Sequence, residues 1–223
     1  MKKDLVVYGA GDLAKLMCAY FAQDSGYRIA GFCVDRGRLF ADRFLGLPLV
    51  AFEETEQHFN PVACEMFVAI GYSKMRDRRL MYERAKAKGY ALANYISSHA
   101  QVWPDAVIGE NNVLMPLVHV EPFVHVGNNN MFWSDTLVTH GVRVGDHNYC
   151  GAKCILGGHS VINDECFLGN GAVLINGVHL KDGSHILPGS VVYQDTKLHN
   201  KYLGNPARAI GSHEETGIVI RRG

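Results

Sequence analysis

The chain has 223 residues, with 22 Lys and Arg balanced by 22 Asp and Glu, so it has no basic excess with which to hold a nucleic acid. It contains no run of about 20 apolar residues, which argues against a membrane-spanning helix and a membrane partner. The opening MKKDLVVYGAGDLAK carries a basic pair, but its apolar run breaks at once on Gly9. It reads as neither signal peptide nor anchor, and a cytoplasmic location is the expectation.

Asp4 to Tyr8 reads as a strand that ends on the turn Gly9-Ala10-Gly11. Lys15 to Gln23 follows as a helix, with Leu16, Met17, Ala19 and Tyr20 at helical spacing. Arg28 to Val34 is a second strand, closing on Asp35, 24 residues after Gly11. Strand, glycine turn, helix, strand and acid make a Rossmann-like pattern. In it, Gly9, Ala10 and Gly11 let the backbone approach a phosphate at a helix N-terminus, and Asp35 can accept a ribose hydroxyl or a base N–H. The pattern suits a nicotinamide cofactor as well as a nucleotide-sugar, but about 90 residues are too few for the second half of a dinucleotide fold. A purely structural cap is the competing reading. Leu47 to Ala51 reads as an edge strand, Glu65 to Ile70 as a strand, Lys74 to Lys88 as a helix and Tyr90 to Ile96 as a strand. Gly71 then falls on a turn at a strand's C-terminal end, where open parallel sheets bind ligands. Residues 1–97 form the expected nucleotide-sugar-binding α/β domain.

From Val102 to Val192 an apolar residue recurs every six positions, through Ile108, Leu114, Val120, Val126 and onward without a slip. A small or compact residue follows four places later in most repeats, as at Ala106, Val118, Thr136, Cys154 and Ala172; Asn112, Asn130 and Asn148 interrupt that column. This period predicts a left-handed parallel β-helix over residues 98–196, in which three repeats close one coil. Residues 18 apart then stack about 4.8 Å apart. Six cysteines, none in CxxC spacing, read as buried thiols. Beyond Val192 lies a tail, 197–223, with a brief helix or turn at Leu198 to Tyr202 and then Gly204-Asn205-Pro206-Ala207-Arg208.

Seven of the eleven histidines fall between Val102 and Val192, none in HxH or HExxH spacing, and no metal site is expected. His140 differs from the rest. Eighteen residues on lies Gly158, and His159 lies likewise above Gly141. An imidazole beside a glycine amide pairs a general base with an oxyanion donor, as acyl transfer requires; an idle corner histidine is the alternative.

A GAG-turn α/β domain joined to a hexapeptide β-helix and closed by GNPAR resembles the bacterial sugar acetyltransferases of the sialic-acid O-acetyltransferase type. Within them it resembles the N-acetyltransferases of UDP-linked 4-amino-4,6-dideoxy sugars and of GDP-perosamine. The resemblance rests on Gly9-Ala10-Gly11, Ala69-Ile70-Gly71, the Ser134 to Gly145 stretch and Gly204-Asn205-Pro206-Ala207-Arg208. It implies a homotrimer, with acetyl-CoA bound in clefts between subunits and the sugar nucleotide held at Gly9, Ala10, Gly11, Gly71 and Asp35. It implies His140 as the base, the Gly158 amide as holder of the thioester oxygen, and Asn205, Pro206 and Arg208 beside the CoA nucleotide. Outward Phe123, Met131, Trp133 and Phe167 would supply the apolar subunit faces. The chain departs from the family at Gly141, where Glu or Asp is common, and at Tyr149, where a second histidine is common. Asp135, Asp146 or a partner-subunit group is left to orient His140. The expected function is N-acetylation of a nucleotide-linked amino sugar for surface glycans, such as lipopolysaccharide O-antigen. The alternatives are O-acetylation of a sialic-acid-like sugar and a non-catalytic scaffold.

Overall fold

A computed structural model describes residues 2–71, 73–213 and 216–220. Residues 2–71 with 80–95 form one compact unit, and the other described residues form a second.

The first unit is built on a parallel sheet of β1 (Lys3–Tyr8), β2 (Tyr27–Val34), β4 (Leu47–Ala51) and β5 (Cys64–Val68). β1 lies between β2 and β5, and its Leu5, Val6, Val7 and Tyr8 are fully buried, as an unbroken apolar run in a covered parallel strand should be. Helix α1 (Asp12–Gln23) buries Ala14, Met17, Cys18 and Phe21; the Phe21 ring meets Phe67, Tyr27 and Tyr95 edge-on. Leu47–Ala51 is not the edge. Leu45 and Gly46 both take positive φ, which folds β3 (Arg43–Phe44) back antiparallel outside it. After the single-turn helix α2 (Thr55–His58) and the longer α3 (Met75–Ala87), the expected strand over Tyr90 to Ile96 shrinks. Only an isolated bridge, Leu92 to Met66, and a two-residue strand, Tyr95–Ile96, remain of it.

The second unit is the coil. Each six-residue repeat gives a two-residue strand, and strands pair in parallel with partners 18 residues away, as His119 with Leu137 and Arg143 with Val161. Three such sheets wound by one chain fit a left-handed parallel β-helix. The second residue of each strand points inward, and Leu114, Val138, Cys150, Leu156, Leu168, Leu180 and Ile186 are fully buried. Asn112, Asn130 and Asn148 interrupt the small column, and each side-chain oxygen accepts the backbone N–H one coil on, while the buried Asn148 Nδ2 has no partner among the described residues. Asn130 N donates to Asn112 Oδ1 at 2.9 Å, Asn148 N to Asn130 Oδ1 at 2.9 Å and Cys166 N to Asn148 Oδ1 at 2.7 Å. All six cysteines are free and buried, and burial pushes the thiols of Cys154 and Cys166 up to about 12.

One regularity is invisible in the residue types. A corner at every sixth position, from Asn111 through Leu117, Phe123, Asn129 and Asp135 to Gly189, holds positive φ. The coil imposes this left-handed turn even on Leu and Phe, which ordinarily resist it.

One outward column is covered by the chain itself. Val113, Met131, Tyr149, Phe167 and His185 are all buried, Tyr149 stacking on Phe167 at 4.9 Å between centroids. Arg78, itself buried, donates to Asn129 O at 2.8 Å beside this column, and the His213 ring lies 6.1 Å from that of His185. The two covering segments are tied together by the Lys74–Val219 bridge and by Met75 N donating to Ile218 O. Met131 and Phe167 are therefore interior residues, not subunit faces. Phe123 remains 68% exposed.

The tail also differs from expectation. Asn200–Gly204 is a strand that adds in parallel to His185–Ile186, then turns back as Ala207–Ser212. Tyr202 takes the next inward place above Ile186, which draws the segment into the sheet.

His185 makes the coil acid-sensitive. Burial, with Lys201 and His213 nearby, lowers its pKa to about 4, whereas the unfolded chain titrates near 6.5. The folded state thus favours the neutral ring. Its contribution is complete above pH ~6.5 and is lost as pH falls from there through 4. We expect Tm to drop by several degrees over that interval, and His185→Gln to flatten the drop; calorimetry across pH checks this.

Candidate functional site

The corner after the strand Leu137–Val138 carries His140, and the equivalent corner one coil on carries Gly158 and His159. An added Cβ at Gly158 would lie 2.7 Å from His140 Nε2, so only glycine leaves room for that imidazole. Gly141 does the same for His159, whose Nδ1 lies 2.5 Å from where a Cβ would be. The two rings meet edge to face, 5.1 Å between centroids, and both side chains are exposed. Gly158 thus lies beside His140, where the 18-residue arithmetic puts it.

The carboxylate on His140 comes from Glu121. Its Oε2 accepts the His140 backbone N–H at 2.7 Å and lies 3.1 Å from Nδ1. A carboxylate there draws the ring proton to Nδ1 and leaves Nε2 as an acceptor. Neither expected acid does this: Asp146 Oδ1 accepts Asn128 N at 2.6 Å, and Asp135 is exposed at its own corner. Tyr149, where a second histidine was the family habit, is buried against Phe167. The amide of Gly158 is also not the expected free donor. It donates to Asn176 Oδ1 at 2.9 Å and is already engaged.

In the first unit, the expected nucleotide-binding residues converge at the C-terminal ends of β1, β2 and β5. Gly9 has φ +132, and a Cβ there would lie 2.8 Å from Ala69 O, so this glycine is required by the fold itself. Ala10 is partly buried, between Gly9 and Gly11. Gly11, the N-cap of α1, and Gly71 would each send a Cβ into open space. Gly11 has φ −100, so a side chain there strains nothing and only fills the approach to the helix N-terminus. Asp35 is partly committed: its Oδ1 accepts from Tyr8 Oη at 2.6 Å and from Arg84 at 2.7 Å. Burial and that Asp35 contact push the Tyr8 hydroxyl up. Arg84 lies 4.7 Å over the Phe52 ring, which stacks on Tyr8 at 4.0 Å. Oδ2 of Asp35 keeps its acceptor capacity among the described residues.

Asn205, Pro206 and Arg208 form the turn and return of the final hairpin, beyond the last coil; all three are exposed, and the Asn205–Pro206 peptide is cis. Among the described residues no group of three His, Cys, Asp or Glu side chains is arranged to hold a metal ion, and no helix is long and apolar enough to cross a membrane.

The coil is similar in sequence to the family described as bacterial transferase hexapeptide (six repeats), whose model matches residues 105–140. The chain's structural neighbours are bacterial sugar acetyltransferases. PerB from Caulobacter crescentus, solved in complex with CoA and GDP-perosamine, is 25% identical, with a TM-score of 0.82 over 93% of this chain and 97% of that one. The acetyltransferase domain of PglB from Neisseria gonorrhoeae shares the fold at 24% identity, TM-score 0.81, over 94% of this chain and all of that one. WeeI from Acinetobacter baumannii aligns at 19% identity and a TM-score of 0.57, over 94% of this chain and all of that one.

Proposed function

We propose that the chain is an acetyl-CoA-dependent N-acetyltransferase acting on a nucleotide-linked amino sugar in surface glycan biosynthesis. The observation that carries this is His140, fixed by Glu121 through Nδ1, with Nε2 turned toward the space that Gly158 keeps open. Nε2 is placed to take the proton of an amine as that amine attacks a thioester carbonyl. The amine bonds to the acetyl carbon, the C–S bond breaks, and the CoA thiolate leaves with the proton that His140 had taken. No acyl-enzyme is needed, and the cysteines of the coil are too buried to serve as nucleophiles. The likeness to PerB, solved with CoA and GDP-perosamine, supports the same substrate classes here. In this reading Asn205, Pro206 and Arg208 lie by the CoA nucleotide. Gly9, Ala10, Gly11 and Gly71 receive the sugar nucleotide's diphosphate, and Asp35 its ribose or base. A missing carboxylate beside His140 would favour a non-catalytic scaffold, and the Glu121 contact supports the enzyme reading instead.

The deciding experiment offers acetyl-CoA with UDP-, dTDP- and GDP-linked amino sugars and reads free thiol and an acetyl mass shift. Acetylation of a hydroxyl instead of an amine would move the reading to O-acetylation; thiol release with no acceptor would end it.

Two further outcomes follow. Gly11→Val should raise the KM for the sugar nucleotide about tenfold or more while acetyl-CoA binding holds, because a side chain fills the open approach to α1. An unchanged KM would show that the first unit binds something else. We also propose a homotrimer, supported by the exposed Val107, Leu117, Phe123 and Ile155 of the coil. Light scattering at micromolar concentration should return three times the chain mass of 24.6 kDa, and a monomer mass would refute it.

A further inference from the structure

Acyl transfer needs a donor for the oxygen that becomes negative as the thioester is attacked. The backbone around His140 has none to give. Gly158 N–H goes to Asn176 Oδ1, His159 N–H to His140 O, Gly141 N–H to Pro122 O and Gly157 N–H to Leu174 O. The Thr139 hydroxyl is likewise committed, to Leu156 O at 2.6 Å. His159 is different. Its ring stands edge-on to His140 at 5.1 Å, it is exposed, and neither of its nitrogens has a hydrogen-bond partner among the described residues. Its place is built: Gly141 has φ +68, and any Cβ there would collide with His159 Nδ1. A Cβ at position 141 would lie 2.5 Å from His159 Nδ1, so a side chain there would turn this ring aside. In this chain the carboxylate beside His140 comes from Glu121, and Gly141 leaves room for a second imidazole.

We propose that His159 is a catalytic residue whose ring N–H holds the thioester oxygen in the transition state, taking the part expected of the Gly158 amide. This rests on the reading of His140 as the base. The acceptor nitrogen bonds to the carbonyl carbon, the C=O π pair moves onto oxygen, and His140 Nε2 takes the amine proton. On collapse the C=O bond re-forms, the C–S bond breaks, and the thiolate takes that proton from His140. His159 keeps its own proton throughout and acts by hydrogen bonding alone.

The test uses acetyl-CoA labelled with carbon-13 at the carbonyl. Its infrared stretch should fall when bound to the wild-type protein and return to the solution value in His159→Phe. The same variant should lose roughly 10²–10³ in kcat, the range for one oxyanion donor, with the KM for acetyl-CoA within threefold. His159→Gln, which keeps an N–H donor, should recover part of both losses, and Asn176→Ala should keep the lowered stretch. Circular dichroism confirms that each variant is folded. The proposal is overturned if His159→Phe keeps the lowered stretch and a kcat within threefold of wild type, or if Asn176→Ala abolishes the stretch while His159→Phe does not. A wild-type protein that binds acetyl-CoA with no lowered stretch also overturns it. A lowered stretch that depends on His159, without acetylation of any amino sugar, supports the role of His159 and overturns only the assignment of the acceptor.

Discussion

His140→Asn should lower kcat/KM for amino-sugar acetylation by roughly 10²–10⁴, the range for losing a positioned base. The loss should fall on kcat, because removing the amine proton belongs to the transition state and not to ground-state binding. Asn is the sharp choice, since its side-chain oxygen and nitrogen can keep a contact with Glu121 but cannot take up a proton. His140 is exposed, so its substitution opens no cavity in the coil, and the melting temperature should hold within about 2 °C. A His140→Asn enzyme within threefold of wild type at neutral pH would mean that the amine arrives already deprotonated and that the site works by positioning.

Glu121→Gln should cost on the order of 10² in kcat, and the effect should vanish in the His140→Asn background. The glutamine oxygen can still accept the His140 backbone N–H, which Glu121 Oε2 takes at 2.7 Å, so the corner keeps its shape. What is lost is the negative charge that holds the ring proton on Nδ1 and steadies the imidazolium. Equal losses in both backgrounds would show instead that Glu121 shapes the corner and does not serve the ring. Restoring an acid by Gly141→Glu should not rescue the Glu121→Gln enzyme, because a Cβ at that left-handed corner collides with His159.

The coil was legible because its physics repeats. A strand of two residues with one inward side chain must place an apolar residue at every sixth position, and nothing from Val102 to Val192 breaks the count. The pairing of His140 with Gly158 came from the same arithmetic. Glu121 did not, since it lies 19 residues from His140, in the neighbouring column, and only side-chain reach brings it across. His159 and Gly141 were seen as a stack, but their left-handed corners were not, because the coil imposes that conformation on Leu117, Phe123 and Lys153 as readily as on glycine. Met131 and Phe167 misled for another reason: a period assigns them to the outside of the coil, and only the fold reveals that residues near Arg78 and Ile218 lie over that face. In the first unit, β1, α1 and β2 follow from local pattern, whereas β3 depends on Leu45 accepting positive φ. The engagement of Asp35 by Tyr8 and Arg84, the latter 49 residues away, is a tertiary fact with no local trace.

An unbroken period also makes the coil a gauge. Its length can change only in whole turns: removing one residue between Val102 and Val192 would rotate every later side chain out of its column, whereas removing or adding 18 would leave all columns intact. Each added turn after Gly158 would carry the Asn205–Arg208 hairpin about 4.8 Å further from His140. The span between the reacting corner and the far end of the coil is therefore fixed in steps. If the hairpin lies by the CoA nucleotide as proposed, gaining or losing one turn would fit acyl donors of a different reach without altering a single residue of the corner.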